Sequence, residues 1–297
     1  MIILIGFLVG AVLGSFGKAL ADRSLKNKSF LGRSHCEKCQ RTLSVFELIP
    51  ILSFLLQGGK CRYCKKSIGL EYLAVEVVMG VVVAYLFYQQ ISASAGGASH
   101  FQFLNSLFEL VFNIFFVTIL AVLFLTDLKE MFIPDRVVIP SIIVAIILLV
   151  AGTLYKIGYL YKFLLNDQIG QYLLPPHNDY FTRHAFMIAQ PFLGALAVGI
   201  GIAAFFAFLV FITKSRGMGG GDIKLGMFMG LGLGFPGGVI AVILAFMSGA
   251  IVALLAVAAG KKGFKSQIPF GPFLILGSLA VLFWGQQILN WYINLSI

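Results

Sequence analysis

The sequence predicts an all-α polytopic membrane protein, and three observations support this fold class. Of the 297 residues, 59% are hydrophobic and only 11% are charged, whereas about 25% of the residues in a soluble domain are charged. Apolar stretches of about 20 residues, long enough to cross a bilayer core, recur along the chain. The net charge of +10 comes mostly from basic residues that flank these stretches. Because a positive-inside bias explains them, we expect no nucleic-acid partner.

About eight transmembrane helices are predicted, with seven as the alternative count. Backbone groups in lipid must be satisfied internally, so each apolar stretch is expected to be a helix and not a barrel strand. The first stretch has no basic residues before it, which favours a membrane helix over a cleaved signal peptide. The sixth is short and rich in glycine, which leaves the count open. The predicted spans are residues 2–20, 71–91, 107–126, 137–155, 190–213, 223–236, 237–259 and 270–293.

The distribution of lysine and arginine predicts the orientation of these helices. Ten of these residues lie in segment 21–70, and three short loops on the same side carry two, two and three, namely 128–136, 214–222 and 261–267. On the other side, the short loops carry no lysine or arginine, and the long loop 156–189 carries three. The basic side is therefore expected to face the cytoplasm, and both ends of the helix series are expected to lie outside.

All four cysteines lie in segment 21–70. Two CxxC pairs, Cys36 with Cys39 and Cys61 with Cys64, are separated by 21 residues. This pattern predicts a zinc site, and four thiolates leave no position for water, so the zinc is expected to be structural. Disulfides are the alternative, but thiols stay reduced in the cytoplasm. His35 is expected to be a bystander.

The predicted domains are a first transmembrane helix at 1–20, a small cytoplasmic tetracysteine zinc domain at 21–70 and a membrane core at 71–297. Metal binding is expected to supply folding energy to the second of these, which has little apolar content. The apolar stretch 46–59 is interrupted by Pro50 and is too short to span. We expect it on the membrane surface or against the helices.

Two aspartates, Asp127 and Asp222, are predicted to reach the same membrane face although they are 95 residues apart. Acidic residues at a membrane bundle are costly and therefore indicate function. Two close carboxylates share one proton, so one can activate water while the other protonates a carbonyl oxygen. This chemistry hydrolyses peptide bonds. Glycines at 217, 219, 220 and 221 would allow an extended substrate to approach the backbone.

Each of these acids also has a simpler explanation. Asp222 begins a predicted helix, where a carboxylate interacts favourably with the helix dipole. That explanation fits Asp127 poorly, because Asp127 lies near the end of a helix. Asp135 is a rival for Asp127, but it precedes a predicted helix and is expected to cap it.

Five segments, in order, resemble the bacterial type IV prepilin leader peptidases, bifunctional membrane enzymes of the GxGD aspartic protease class. The segments are "GSF" at 14–16, the tetracysteine region at 36–76, "TDLKEMFIPD" at 126–135, "GMGGGDIKL" at 217–225 and "IPFGPFL" at 268–274. The resemblance implies that Asp127 and Asp222 are the catalytic acids and that the four cysteines bind zinc. Two departures, "GSFGKAL" at the first helix and a longer loop at 156–189, involve none of these residues.

The resemblance also implies a multi-pass enzyme of the bacterial inner membrane with its active site facing the cytoplasm. Such enzymes cleave the basic leader from prepilins and pseudopilins and then methylate the new N-terminal residue with S-adenosylmethionine. The residues for methyl transfer are not implied. Glu71 and Glu76 are candidates to bind the substrate amine or the cofactor. Alternatively, Glu71 caps its helix and Glu76 pairs with a basic group.

Two other function classes remain as alternatives to an enzyme. A non-enzymatic assembly factor of a pilus or type II secretion system would use the zinc domain for docking, but it gives no reason for two acids beside a glycine run. A transporter would place acids near the membrane midplane, in broken helices or paired repeats. The acids here are predicted at one interface, so a processing enzyme is preferred.

Overall fold

The computed structural model describes residues 1–30, 32–36, 38–94, 100–214, 218–259 and 269–296, and it confirms the all-α membrane fold. Seven helices in this part of the chain are long and apolar enough to cross a membrane. The only strand-like pairings among the described residues are two isolated β-bridges. The chain divides into two compact units, Met1–Glu130 and Met131–Ile297.

The first unit contains three long helices and the cysteine-bearing segment 26–69, which we call the tetracysteine module. The long helices are α1 (Ile2–Leu25), α3 (Leu70–Ser94) and α4 (His100–Glu130). Within the module lie a 3-10 helix (Val45–Leu48) and the short helix α2 (Leu52–Leu56). Helix α1 continues five residues beyond the predicted span 2–20, because charged side chains in its last turns pair with one another and with neighbouring helices.

Helices α1 and α3 pack closely because α1 carries glycines four residues apart. A Cβ atom at Gly10 would lie 2.3 Å from the Met79 carbonyl oxygen, and one at Gly14 would lie 2.9 Å from that of Val75. Small residues that let two backbones touch are a common basis for helix association in membranes. The residues in contact show that the two helices run antiparallel, so the end of α1 lies beside the start of α3.

The second unit contains α5 (Asp135–Asn166), a 3-10 helix (Gly170–Leu173), α6 (Tyr180–Ile212), α7 (Gly220–Ala258) and α8 (Gly271–Ser296). The predicted outer loop 156–189 is largely helical, because α5 ends only at Asn166 and α6 begins at Tyr180. The 32 residues of α5 extend about 48 Å, beyond a hydrocarbon core of about 30 Å. Hydropathy marks where a helix leaves lipid, not where the helix ends.

Helix α7 folds back on itself at Gly234. Gly234 has φ 60° and ψ −163°, and Phe235 is also non-helical, so residues 220–233 and 236–258 form two arms. A Cβ atom at Gly238 would lie 3.4 Å from the Gly230 Cα atom, whereas eight residues of continuous helix rise about 12 Å. The arms are therefore antiparallel. They match the predicted spans 223–236 and 237–259, which explains why seven long helices contain eight predicted spans.

The first arm of α7 is the buried centre of the second unit. Its backbone contacts α6 so closely that a Cβ atom at Gly230 would lie 2.5 Å from the Gly199 Cα atom. Leu225, Phe228 and Met229 in the same arm have no exposed surface. This packing fixes the start of α7, where Asp222 lies.

Candidate functional site

The sulfur atoms of the four cysteines form a compact cluster. All four lie within 4.8 Å of one another, and the Sγ atoms of Cys36 and Cys64 are 3.9 Å apart. All four are free thiols, so the disulfide alternative is not adopted. Sulfurs around a tetrahedral zinc ion lie roughly 3.8 Å apart, since each Zn–S bond is about 2.3 Å. The cluster therefore has the ligands and spacing of a structural zinc site, and His35 is not part of it.

Both CxxC pairs have the same local fold, repeated after 25 residues. In each, the N–H of the first cysteine donates to the carbonyl five residues later, and its own carbonyl accepts from the N–H four residues later. The residue after the second cysteine, Gln40 or Lys65, has a positive φ of 57° or 55°. An isolated β-bridge closes each turn, at His35 with Thr42 and at Lys60 with Ser67.

The backbone of these turns is arranged to stabilise thiolates. Backbone N–H groups of Cys64 and Tyr63 lower the pKa of the Cys61 thiol to about 7. The Arg41 backbone also lowers the pKa of Cys39, but desolvation and the neighbouring thiols of Cys36 and Cys64 outweigh it and raise that pKa to about 11. Four thiols this close cannot all ionise without a compensating cation, which is the environment a metal ion relieves.

A neutral group of four charged residues joins α1, α3 and α4. We call Lys18, Asp22, Glu71 and Lys129 the ion cluster. The Nζ atom of Lys18 lies 2.6 Å from Asp22 Oδ2 and 3.3 Å from Glu71 Oε1, and that of Lys129 lies 3.0 Å from Asp22 Oδ1 and 3.3 Å from Glu71 Oε1. Tyr72 donates to Asp22 Oδ2 at 2.9 Å and places its ring 4.2 Å from Lys18 Nζ.

The ion cluster shows the role of Glu71, but the cluster as a whole was not predicted from the sequence. Glu71 neutralises two lysines, so its carboxylate is used in ion pairs and not simply in helix capping. The available signal was the i,i+4 spacing of Lys18 and Asp22, two opposite charges within an apolar helix. Their partners on α3 and α4 have no sequence signal, because the pairing depends on which helices meet.

Glu76, the other candidate for methyl transfer, has a different environment. Its side chain is buried, and Oε2 accepts a 2.7 Å hydrogen bond from the backbone N–H of Ile51. No lysine, arginine or histidine among the described residues forms an ion pair with it, so the expected basic partner is absent from that part of the chain. The bond to Ile51 also holds the apolar stretch 46–59 against α3, which was one of its two expected locations.

A cavity of about 480 Å³ lies between the tetracysteine module and the helices of the first unit. Helix α3 contributes Tyr72 and Glu76 to its lining, together with Glu71 of the ion cluster. The module contributes Phe54 and several basic residues, of which the exposed ones include Lys28, Lys38 and Lys66. This cavity therefore offers acidic, aromatic and basic side chains to a charged organic molecule.

The two aspartates predicted as catalytic are both buried. Asp127 lies near the end of α4 in the first unit and is 5% exposed, and Asp222 lies in the first turn of α7 in the second unit and is 9% exposed. Asp222 Oδ2 accepts a 3.1 Å hydrogen bond from the Gly219 N–H. Asp222 therefore does lie at a helix start, as the simpler explanation expected. A position at a helix start does not explain why this carboxylate is buried in a membrane helix.

The rival acid Asp135 has a separate structural role. It is the exposed first residue of α5 and forms an ion pair with Lys224 of α7. Pro134 and not Asp135 is the N-cap residue, so the expected cap is replaced by first-turn placement and an ion pair. This pair ties the start of α5 to the start of α7, beside Asp222.

Of the glycines before Asp222, one is required by packing. A Cβ atom at Gly221 would lie 2.9 Å from the Ile133 Cβ atom, whereas one at Gly220 would meet nothing within 4 Å and one at Gly219 only an ordinary contact. Gly217 lies outside the described residues. Gly219 and Gly220 therefore leave open space next to Asp222.

Comparisons with known proteins agree with this architecture. The model of the bacterial peptidase A24 N-terminal domain matches residues 8–90, and the model of the type IV leader peptidase family matches residues 180–254. A prepilin leader peptidase/N-methyltransferase of Bacillus subtilis (strain 168) is 31% identical over 292 residues, which are 98% of each chain. Relatives of the same name from Legionella pneumophila and Aeromonas salmonicida (strain A449) are each 26% identical, over 91% and 88% of this chain and 78% and 75% of theirs. No solved structure gives a significant match.

Proposed function

The chain belongs to the family of prepilin leader peptidases/N-methyltransferases, and from this we propose that it cleaves the basic leader of type IV prepilins and pseudopilins and then methylates the new N-terminal residue. Similarity to a relative over nearly the whole of both chains supports both activities. We further propose the bacterial inner membrane as its location and the cytoplasmic face as its active side, since basic residues are concentrated in the loops predicted there.

The peptidase half rests on one observation above all, the burial of Asp127 and Asp222 in helices that suit a membrane. Buried carboxylates are uncommon and are typical of catalytic acids and bases. We assign one aspartate, in its ionised form, to accept a proton from the attacking water. The other, in its protonated form, donates to the carbonyl oxygen of the scissile bond. The amine of the mature pilin then leaves with a proton as the C–N bond breaks.

Zinc is proposed for the four-cysteine cluster, with a structural role in domain 21–70. The repeated turn geometry and the spacing of the sulfur atoms support a four-thiolate site. A bound zinc ion would hold Cys36 and Cys39 to Cys61 and Cys64, and so join the two turns. The module would then be ordered next to the membrane core, residues 71–297.

Methyl transfer requires S-adenosylmethionine, which we propose as the cofactor. When bound, it supplies an electrophilic methyl group to the N-terminal amine of the cleaved pilin. The residues of this chain must bind the donor, hold the amine in its uncharged form and separate the reaction from competing water. The assembly-factor alternative is less well supported, because it leaves the buried aspartates without a purpose.

One experiment tests both activities. Purified protein in lipid nanodiscs would be incubated with a model prepilin, with and without S-adenosylmethionine, and the products measured by mass spectrometry. We expect leader loss in both reactions and the added mass of one methyl group only with the cofactor. An intact prepilin would refute the peptidase half, and a cleaved but unmethylated product with cofactor would refute the methyltransferase half.

A further inference from the structure

We propose that Glu76 and the cavity beside it bind the methyl donor, with the Glu76 carboxylate facing the sulfonium cation. The inference rests on the methyltransferase half of the proposed function. It assigns a location and a charge partner to a group that any N-methyltransferase using a sulfonium donor must bind.

Among the described residues, four acids line the cavity, namely Asp22, Glu47, Glu71 and Glu76. Glu47 is half-buried and accepts from the backbone N–H of Ser44 at the start of its own 3-10 helix. Asp22 and Glu71 are neutralised by Lys18 and Lys129 within the ion cluster. Glu76 is 7% exposed and so more buried than Asp22 or Glu71, yet its partner is the uncharged N–H of Ile51. A buried carboxylate is stable when a cation compensates it. No described basic residue lies within ion-pair distance of Glu76, although lysines and an arginine line the same cavity, so a cationic ligand beside Glu76 would supply the missing compensation.

The lining of the cavity at Glu76 is chemically mixed. A second cavity in the first unit, near Phe7 and Tyr88, is lined by apolar and aromatic residues and would not bind a zwitterionic cofactor. The cavity at Glu76 offers a carboxylate for the sulfonium, the ring of Phe54 for an apolar face, and exposed lysines of the module for the donor's carboxylate. Its volume of about 480 Å³ falls within the range of small-molecule sites.

A carboxylate at this position would also distinguish the donor from its product. In the transfer, the amine lone pair forms the new N–C bond, and the electrons of the broken S–C bond return to sulfur. The surplus amine proton passes to water. The donor is therefore cationic at sulfur and the product is a neutral thioether. Glu76 would attract the donor through charge and release the product when that charge is lost.

The test compares the binding of S-adenosylmethionine and S-adenosylhomocysteine to nanodisc-embedded protein by calorimetry. Glu76→Gln keeps an oxygen that can accept from Ile51 and removes only the charge. We expect wild-type protein to bind the methionine form more tightly. In Glu76→Gln the affinity for S-adenosylmethionine should fall about tenfold, whereas the affinity for S-adenosylhomocysteine should change less than about twofold. Glu130→Gln, which removes an exposed acid of α4, is the matched control and should preserve both affinities.

Zinc content and leader cleavage would verify that Glu76→Gln is folded. Equal affinity of wild-type and Glu76→Gln for S-adenosylmethionine would overturn the inference. So would an unchanged cofactor affinity with a raised KM for pre-cleaved pilin, which would assign the carboxylate to the pilin amine instead. Wild-type protein that neither binds the cofactor nor methylates pre-cleaved pilin would overturn the methyltransferase half of the proposed function itself. Methylation by wild type without any effect of Glu76→Gln on binding would overturn only the inference.

Discussion

The Nζ atom of Lys18 lies 2.6 Å from Asp22 Oδ2, one turn further along α1, although the lysine side chain is completely buried. Both residues lie where α1, α3 and α4 converge, because Lys129 of α4 reaches Asp22 and Glu71 of α3 reaches Lys18. The cluster has no net charge. Its integrity therefore depends on all four members being present.

Removing Lys18 should destabilise the first unit. Lys18→Met preserves most of the side-chain volume but leaves Asp22 and Glu71 to share Lys129. We expect a loss of about 2–3 kcal/mol, less than for a fully buried pair because Glu71 is partly exposed. Thermal unfolding in detergent would measure this loss, with Lys28→Met as the control for removing an exposed lysine. Equal stability of the two variants would show that the cluster contributes nothing beyond surface charge.

Asp127→Asn and Asp222→Asn should each reduce the rate of leader cleavage by about 10²–10⁴-fold, the usual contribution of a general acid or base. Each change removes a titratable group while preserving shape, so membrane insertion should persist. Cleavage of a model prepilin would be followed by mass spectrometry. Asp135→Asn is the control, because this exposed acid only pairs with Lys224. Near wild-type cleavage by Asp127→Asn, together with an inactive Asp135→Asn, would reverse the assignment of these acids.

The protein should carry about one zinc ion per chain when it is purified without chelators. Cys36→Ser and Cys61→Ser, one in each turn, should both lose the metal and unfold the module at lower temperature. Lys38→Ser changes the first turn without removing a ligand and should retain zinc. Elemental analysis and thermal unfolding measure these outcomes. A metal-free preparation with full stability and activity would contradict a structural zinc site.

Proteolysis and methyl transfer should be separable. A pilin that already lacks its leader presents the reactive amine without needing the aspartates. Asp222→Asn should therefore still transfer a labelled methyl group from S-adenosylmethionine to pre-cleaved pilin, at a rate within about twofold of wild type. If a well-folded Asp222→Asn fails to do so while wild type succeeds, the two activities share this residue.

Gly230→Ala should destabilise the second unit. The added Cβ atom would lie 2.5 Å from the Gly199 Cα atom, so α6 and α7 would have to separate. We expect a cost of about 1–3 kcal/mol, typical of overpacking. Gly201→Ala adds the same methyl group to α6 where nothing lies within 4 Å, and it should be neutral or slightly stabilising. Unfolding in detergent would compare the two, and an equal effect would exclude the close crossing.

Features that depend on local sequence were predictable, and those that depend on which helices meet were not. The membrane class follows from composition, and the cysteine cluster follows from CxxC spacing. The importance of Asp127 and Asp222 remains a prediction, but their burial agrees with it. The pairing of Lys18 with Glu71 and that of Glu76 with Ile51 were missed because these partners lie on other elements. The end of α5 and the start of α6 were misjudged. A charged residue such as Lys156 ends a hydrophobic span without ending the helix.

The fold-back of α7 at Gly234 also has a consequence for the lipid around it. Its first arm has only the 14 residues from 220 to 233, about 21 Å of helix, which is shorter than a hydrocarbon core of about 30 Å. Because protein buries most of this arm, lipid would meet it mainly at the exposed turn of Phe235. Hydrophobic mismatch there is relieved by thinning of the bilayer, at a cost of fractions of a kcal/mol per Å. The acyl-chain length of the surrounding lipids should therefore influence the stability of the first arm of α7, which begins at Gly220 and carries Asp222. Activity measured in bilayers of graded thickness would then report on this arm, with short-chain lipids favoured.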